Sequence, residues 1–486
     1  MLSERMQLLA ELKAILPESA IVSEQEMLHA YECDALSAYK QLPLLLVMPD
    51  SVAQVQAVLR LCSRMQVPVV ARGAGTGLSG GALPLVDGVL LSLARFNRIL
   101  DVDPRACTAR VQPGVPNLAI SKSARQFGLY YAPDPSSQVA CSIGGNVAEN
   151  SGGVHCLKYG LTVHNVLKLL LVTAAGELLT LGSDALDSPG YDLLALMHGS
   201  EGMLGVVVEV TVRLLPLPAA VNLVLAAFDS VEQAGQAVGD IIAAGIIPAG
   251  LEMMDGPAIR AAEEFAQAGY PVDAAAILLC ELDGCAEDVA AQVARVRELL
   301  LSNDATELRI AVDAADRQRL WQGRKSAFPA IGRISPDYYC MDGTIPRRVL
   351  PQVLQRIAAL SAEFGLPIAN VFHAGDGNLH PLILYDAARP GELETAEKLG
   401  GKILELCVEM GGSITGEHGV GVEKLDQMCV QFAPAELTLF HAIKHAFDPQ
   451  GLLNPGKAVP TLHRCAELGR MHVHGGRLAF PELERF

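Results

Sequence analysis

Arg72-Gly73-Ala74-Gly75-Thr76-Gly77-Leu78-Ser79-Gly80-Gly81 decides how the first half of the chain is read, because five glycines fall within ten residues. Glycine has no Cβ, so backbone N–H groups in such a loop can converge closely on a phosphate. The apolar segment before it, Val67–Ala71, reads as a strand. Gly75-x-Gly77-x-x-Gly80 therefore has the spacing of a dinucleotide-binding fingerprint, which also needs a helix opening at its last glycine. Here Pro84 and Gly88 interrupt, and the next periodic segment, Val89–Leu93, reads as a second strand. That context disfavours a nicotinamide-type Rossmann site, and a bare surface turn needs fewer glycines. A pyrophosphate cradle of another design is left.

Two more segments support the cradle. Ala132-Pro133-Asp134-Pro135-Ser136-Ser137 leads into a glycine-dense loop, Ile143–Gly153, containing Gly144, Gly145, Asn146 and Gly152. Small residues there would let backbone lie against a flat aromatic ring, with Ser, Asn and Asp reaching its heteroatoms. Gly199-Ser200-Glu201-Gly202-Met203-Leu204-Gly205-Val206 could close over the same ligand.

Working outward, apolar strands alternate with helices from Leu44 onward: Leu44–Met48, Ser51–Met65 (helix), Thr108–Val111, Val166–Thr173 and Val206–Leu214. Leu215-Pro216-Leu217-Pro218 is the clearest punctuation, and a domain boundary is placed there. Beyond it, Asn222–Phe228 and Ile277–Leu282 (strands) with Ser230–Ala244 and Ala286–Ser302 (helices) predict an α+β domain with a largely antiparallel sheet. The expected division is 1–40 as a helical segment packing on the first domain, 41–218 as the cofactor domain, 219–432 as the substrate and metal domain, and 433–486 as a helical segment and tail returning to the first domain. Leu2, Met6, Leu9, Leu12 and Leu16 recur at helical spacing, so the N-terminus reads as an amphipathic helix rather than a signal peptide.

A chain of 486 residues needs more than one core. Its 37 Lys and Arg stand against 54 Asp and Glu, a net charge of −17 that argues against nucleic-acid binding. An anionic substrate would need local Arg, Lys or metal. Mean hydropathy is +0.30, yet no apolar run is long enough to span a membrane. The eleven cysteines are scattered with no CxxC pair, which points to reduced thiols in a cytosolic protein and away from iron–sulfur or structural zinc clusters on this chain.

The second half carries a histidine constellation. Ile368–Leu384 reads as two strands joined by a Gly-Asp-Gly-Asn turn, which sets His373 and His380 side by side at its shoulders. Glu417 and His418 follow between glycines in Gly416-Glu417-His418-Gly419-Val420-Gly421. His373, His380 and Glu417 make a His₂Glu set with a coordination position left open, as in catalytic metal sites. Any one of these histidines alone reads more simply as a hydrogen-bonded structural residue; together they read as a site. His441 and His445 read as helix-face residues, and His463, His472 and His474 as tail residues without a metal.

These motifs carry two resemblances. The glycine loops in their order resemble the PCMH-type FAD domain of the vanillyl-alcohol-oxidase superfamily, which implies an α+β fold of a two-subdomain FAD-binding domain followed by an FAD-linked oxidase C-terminal domain. The resemblance implies noncovalent FAD held by Arg72, Gly73, Ala74, Gly75, Thr76, Gly77, Leu78, Ser79, Pro133, Asp134, Ser137, Gly144, Gly145, Asn146, Gly152, Gly205 and Val206. His155 lies near the second loop, without implying a covalent link. HxGDGNxH followed by GEHGxG resembles the FAD-dependent D-2-hydroxy-acid dehydrogenases. It implies zinc or a similar divalent ion on His373, His380 and Glu417, substrate contact from Asn378, His418 as general base, Arg324 on the substrate carboxylate, and Asn454 at the flavin. Family members that take 2-hydroxyglutarate have a lysine before the Asp-x-x-x-Pro segment, and Tyr339-Cys340-Met341-Asp342-Gly343-Thr344-Ile345-Pro346 has none, so a small monocarboxylate is expected. The tail from Leu462 to Phe486 resembles that of flavin subunits of bacterial glycolate oxidases. This implies oxidation of glycolate, and of D-lactate, with electrons leaving through a second flavin-type subunit and an iron–sulfur subunit toward the inner membrane. A stand-alone D-lactate dehydrogenase and a noncatalytic flavin-binding subunit are the alternatives.

Overall fold

The computed structural model describes residues 2–185 and 190–461. The tail from Leu462, with His463, His472 and His474, lies outside the described residues.

The first half is built on two sheets. Strands β1 (Ile21–Val22), β2 (Leu45–Val47), β3 (Val69–Arg72) and β4 (Val89–Ser92) form one sheet in the order β1-β2-β4-β3, with β4 parallel to both β2 and β3. All three residues of β2 and all four of β4 are buried, which is why these strands read as continuous apolar runs rather than alternating ones. No helix intervenes between β3 and β4, so the glycine loop Arg72–Gly81 is an open connection. The second sheet, from β5 (Ile99–Asp103), β6 (Thr108–Val111), β8 (Val166–Val172), β9 (Leu178–Gly182) and β10 (Val206–Arg213), is antiparallel in the order β5-β6-β10-β8-β9. The short β7 (Leu129–Tyr130) pairs with β11 (Leu215–Pro216) beside it.

The N-terminal helix Leu2–Ile15 buries Leu8 and Leu12, followed by buried Leu16. This i,i+4 stripe differs from the sequence expectation: Met6 is 68% exposed, and Leu8 takes its place. The stripe packs with Val55, Val58 and Leu59 of the helix Val52–Met65.

From Ala220 the chain forms one seven-stranded sheet. Its strands are β12 (Ala220–Phe228), β13 (Gly250–Asp255), β14 (Ala276–Gly284), β15 (Glu307–Ile310), β16 (Asp337–Cys340), β17 (Ile368–Phe372) and β18 (Pro381–Tyr385), in the order β15-β12-β14-β13-β17-β18-β16. Every pairing is antiparallel. The period of two shows in β12: Val224, Ala226 and Phe228 join one core, Leu223, Leu225 and Ala227 the other. Helices Val231–Ala243, Ala286–Ser302, Leu350–Phe364 and Glu392–Glu409 cover the first face; Gly256–Ala266 and Ala314–Lys325 cover the second.

The last described segment returns to the first sheet. Val69 donates its N–H to Leu452 O at 2.8 Å, and Asn454 donates back to Val69 O at 2.8 Å, so Leu453 extends the free edge of β3. Among the described residues no helix is long and apolar enough to cross a membrane.

Candidate flavin and metal site

A cavity of about 460 Å³ opens where the glycine loops of the first half meet the histidine loops of the second. Its walls include Arg72, Gly73, Ala74, Gly75, Thr76, Gly77 and Leu78 from the first loop, Ser137, Gly144, Gly145 and Asn146 from the second, and Gly205 and Val206 from the third. The second half contributes Lys325, Phe328, Pro329, His380, Glu417 and His418. Small side chains here are a steric requirement. A Cβ on Gly73 would overlap Ser142 Oγ, and one on Gly144 would stand 3.0 Å from Pro113 O. Backbone therefore forms much of the wall, which suits close approach by a large cofactor.

Ser79, Pro133, Asp134, Gly152 and Asn454 are close to this wall but do not line it. Ser79 O accepts the N–H groups of Val422 and Glu423, joining the two halves. Pro133 O accepts from Asn117 Nδ2 at 3.1 Å. Asp134 pairs with His155 at 3.0 Å and Lys325 at 3.4 Å, and Gly152 N–H donates to Glu417 Oε2 at 3.0 Å. Asn454 Nδ2 donates to Gly81 O at 2.9 Å and to Glu201 O at 2.6 Å.

The second glycine segment differs from its sequence reading. Ile143–Glu149 is a helix, with Ser142 Oγ accepting from Gly145 N–H and Asn150 closing it at φ 57°. Two glycines in seven residues argue against helix by propensity, but the caps at both ends and the burial of Ile143 and Val147 decide otherwise.

The histidines sit on a hairpin. β17 and β18 pair from Ile368↔Ile383 to Asn370↔Pro381, and the connection His373–His380 folds so that His373 N–H donates to Asn378 O at 3.1 Å. The two rings lie 4.9 Å apart. Glu417 Oε1 lies 3.2 Å from His373 Nε2 and 3.4 Å from His380 Nε2. Ligand atoms of this trio fall within 4.8 Å of one another, and both ring nitrogens of His380 are buried without a hydrogen-bond partner. A divalent cation fits this donor set. Burial opposes ionisation of Glu417, but His373 and His380 bring its carboxyl down to about 2. Asp342, His380 and His418 form an overlapping trio of the same kind.

Two buried carboxylates that sequence reading missed organise this centre. Glu252 on β13 lies 2.8 Å from His373 Nδ1 and 2.6 Å from Arg324 Nη2. Arg324 is 1% exposed, does not line the cavity and has its guanidinium paired with Glu252. From the second half, the Lys or Arg on the wall is its neighbour Lys325. Asp342, fully buried, accepts from the backbone N–H groups of Gly416, Glu417 and His418, from Thr415 Oγ1 and from Lys424 Nζ. Asn378 also turns to it, donating from Nδ2 to Asp342 Oδ1 at 3.0 Å rather than facing the cavity.

His418 stacks on His380 with centroids 4.8 Å apart and planes at 10°. Its Nδ1 is buried without a partner, and burial holds the imidazole down to about 4 despite Asp342 nearby. His418 is therefore neutral at ordinary pH, able to accept a proton.

Residues 43–182 match the FAD binding domain family, and residues 217–458 match the family of FAD linked oxidases, C-terminal domain. The chain is 67% identical to the glycolate oxidase subunit GlcD of Escherichia coli (strain K12), over 99% of this chain and 97% of that protein. It is 32% identical to a D-lactate dehydrogenase of Anaerostipes hadrus, over 93% of this chain and 97% of that one. The solved structure of p-cresol methylhydroxylase with substrate bound superimposes with a TM-score of 0.81, covering 95% of this chain and 98% of that chain at 18% identity, a likeness of fold alone.

Proposed function

Because this chain belongs to the FAD-linked oxidases, an FAD-dependent oxidoreductase family, we propose that it oxidises glycolate to glyoxylate, and D-lactate to pyruvate, on noncovalently held FAD. The observation that carries this reading is a half-buried His418 on the wall of the flavin cavity, stacked on one member of a His₂Glu trio with its Nδ1 left without a partner. Identity of 67% to a glycolate oxidase subunit favours glycolate, and the absence of a lysine in Tyr339–Pro346 favours a monocarboxylate.

FAD, bound along Arg72–Leu78, Gly144–Asn146 and Gly205-Val206, supplies the hydride acceptor. A divalent ion on His373, His380 and Glu417 supplies Lewis acidity for the substrate oxygens. The residues do the rest. His418 takes the proton of the 2-hydroxyl as the C–H bond breaks, its low basicity suiting an acidified hydroxyl. Lys325 meets the carboxylate from the wall, while Arg324 acts through Glu252 to fix the tautomer and orientation of His373. Asn378 and Asp342 hold the loop that carries Glu417 and His418. Electrons leave through a second flavin-type subunit and an iron–sulfur subunit, a reading supported by the word subunit in the name of the relatives and by the lack of CxxC pairs here.

The test is anaerobic mixing of the purified chain with glycolate, D-lactate, L-lactate and D-2-hydroxyglutarate, following flavin absorbance with and without a chelator. Rapid bleaching by glycolate and D-lactate that is lost on chelation supports the reading. Bleaching by none of them overturns it in favour of a flavin-binding subunit.

A further inference from the structure

Glu149 and Glu201 bring two carboxylates to one stretch of the cavity wall, between the first glycine loop and the Gly416–Gly421 loop. A Cβ at Gly81 would stand 2.7 Å from Glu149 Oε1 and 3.3 Å from Glu201 Oε2, and one at Gly419 would overlap Glu149 Oε2. Only glycines at 81 and 419 leave room for the pair.

The two differ in what they hold. Glu201 accepts the N–H groups of Val420 at 2.7 Å and Gly421 at 2.8 Å, so its carboxylate is satisfied as an anion. Glu149 Oε2 is buried and has no hydrogen-bond partner. Its backbone is held in place, because it ends the doubly capped helix Ile143–Glu149 and the next residue, Asn150, accepts from Val163 N–H at 2.9 Å. The nearby cations are engaged elsewhere: Lys457 on Gly81 O and Asn454 Oδ1, Lys424 on Asp342 and Gly419 O.

We propose that Glu149 is a cofactor-binding residue that carries a proton as a neutral carboxylic acid and donates it as a hydrogen bond to an acceptor atom on the edge of the flavin ring. Burial pushes both carboxyls above their ordinary range, Glu149 further, with Glu201 and Asp34 adding to its shift. Two adjacent buried carboxyls hold one proton more readily than none, and the one without backbone donors keeps it. A donor at the ring edge would favour the more electron-rich reduced flavin over the oxidised one. The proposal rests on family membership for FAD and is independent of which hydroxy acid is oxidised.

The experiment uses the full chain loaded with FAD and compares the wild type with Glu149→Gln, which keeps a donor of similar shape, and Glu149→Leu, which removes it. The readouts are the flavin absorption spectrum, its midpoint potential by dye equilibration, and FAD affinity. Expected are a wild-type spectrum and potential for Glu149→Gln. Glu149→Leu should show a shifted spectrum, a more negative potential and roughly tenfold weaker FAD binding, the scale of one lost hydrogen bond. A shift in Glu149→Gln equal to that in Glu149→Leu would show that the residue acts as an anion and overturn the proposal. Weaker binding with an unchanged spectrum and potential would also overturn it, moving the contact to the pyrophosphate. Should Glu149→Leu fail to fold, the infrared difference spectrum of flavin reduction decides. It should contain a protonated carboxyl band that Glu149→Gln removes, and absence of that band in the wild type sinks the idea.

Discussion

Asp342 Oδ2 accepts the backbone N–H of His418 at 2.9 Å across 76 residues of sequence, and thereby fixes the loop that presents both the proposed base and Glu417. The same oxygen lies 3.2 Å from Lys424 Nζ, and both side chains are fully buried. Asp342→Asn keeps the shape but removes the nearer counter-charge of Lys424, leaving only Glu423 Oε2 at 3.8 Å. Expected are a loss of about 3–5 kcal/mol in unfolding free energy, read by denaturant titration, and slower flavin reduction from a loosened loop.

His418→Ala should slow substrate-dependent flavin reduction by roughly 10²–10⁴-fold in stopped flow, with substrate affinity changed far less. In the wild type the base must be neutral, and burial lowers the His418 imidazole to about 4. The reduction rate should therefore fall only as pH drops through that region and stay level above it. Unchanged reduction in His418→Ala would remove the residue from this role.

Glu252 stands between His373 and Arg324, so Glu252→Gln weakens two contacts at once. Metal affinity is expected to drop about 10–100-fold, measured by competition with a chromophoric chelator. FAD content should stay near the wild type, because Glu252 does not line the cavity.

His155 gives stability a pH dependence. Burial works against its charge, but Asp134 and Glu281 raise it to about 10. A raised folded value stabilises fully below the unfolded value of about 6.5, and the benefit is lost as pH climbs through about 10. His155→Gln should cost about 2 kcal/mol at pH 6. It should also flatten the decline of melting temperature between pH 7 and 10, compared by thermal melts at each pH.

Much of the fold and of the candidate site was legible in the sequence because it is written locally. The glycine loop, the hairpin histidines and Glu417-His418 each reveal themselves within a dozen residues, since one turn must satisfy its own backbone. Asp342, Glu252, Glu149 and Glu201 did not stand out, because each acts on partners far along the chain. A signal existed for Glu252: a single charge inside the apolar run Leu251-Glu252-Met253-Met254 is costly unless paired. The burial of Arg324 was not legible for the same reason, since it depends on Glu252 and not on its own neighbours. The helix at Ile143–Glu149 was hidden by Gly144 and Gly145, whose propensity is overruled by Ser142 and by packing.

Gly421 has φ 53°, and a Cβ there would overlap Ser79 O, the carbonyl that binds the two halves together. Gly421→Ala should lower the melting temperature by several degrees and release FAD more readily, followed by flavin fluorescence during heating.

Leu453 completes the edge of β3, and Asn454 grips Gly81 from 373 residues away. The ribosome makes the glycine loop early and its last support late. A nascent chain can form all four strands of the first sheet yet lacks the Leu453 bridge on the edge of β3 and the Asn454 contact to Gly81. The loop that forms early in synthesis thus leans on a residue made near the end, and a chain interrupted before Leu453 keeps its whole glycine cradle but loses this brace.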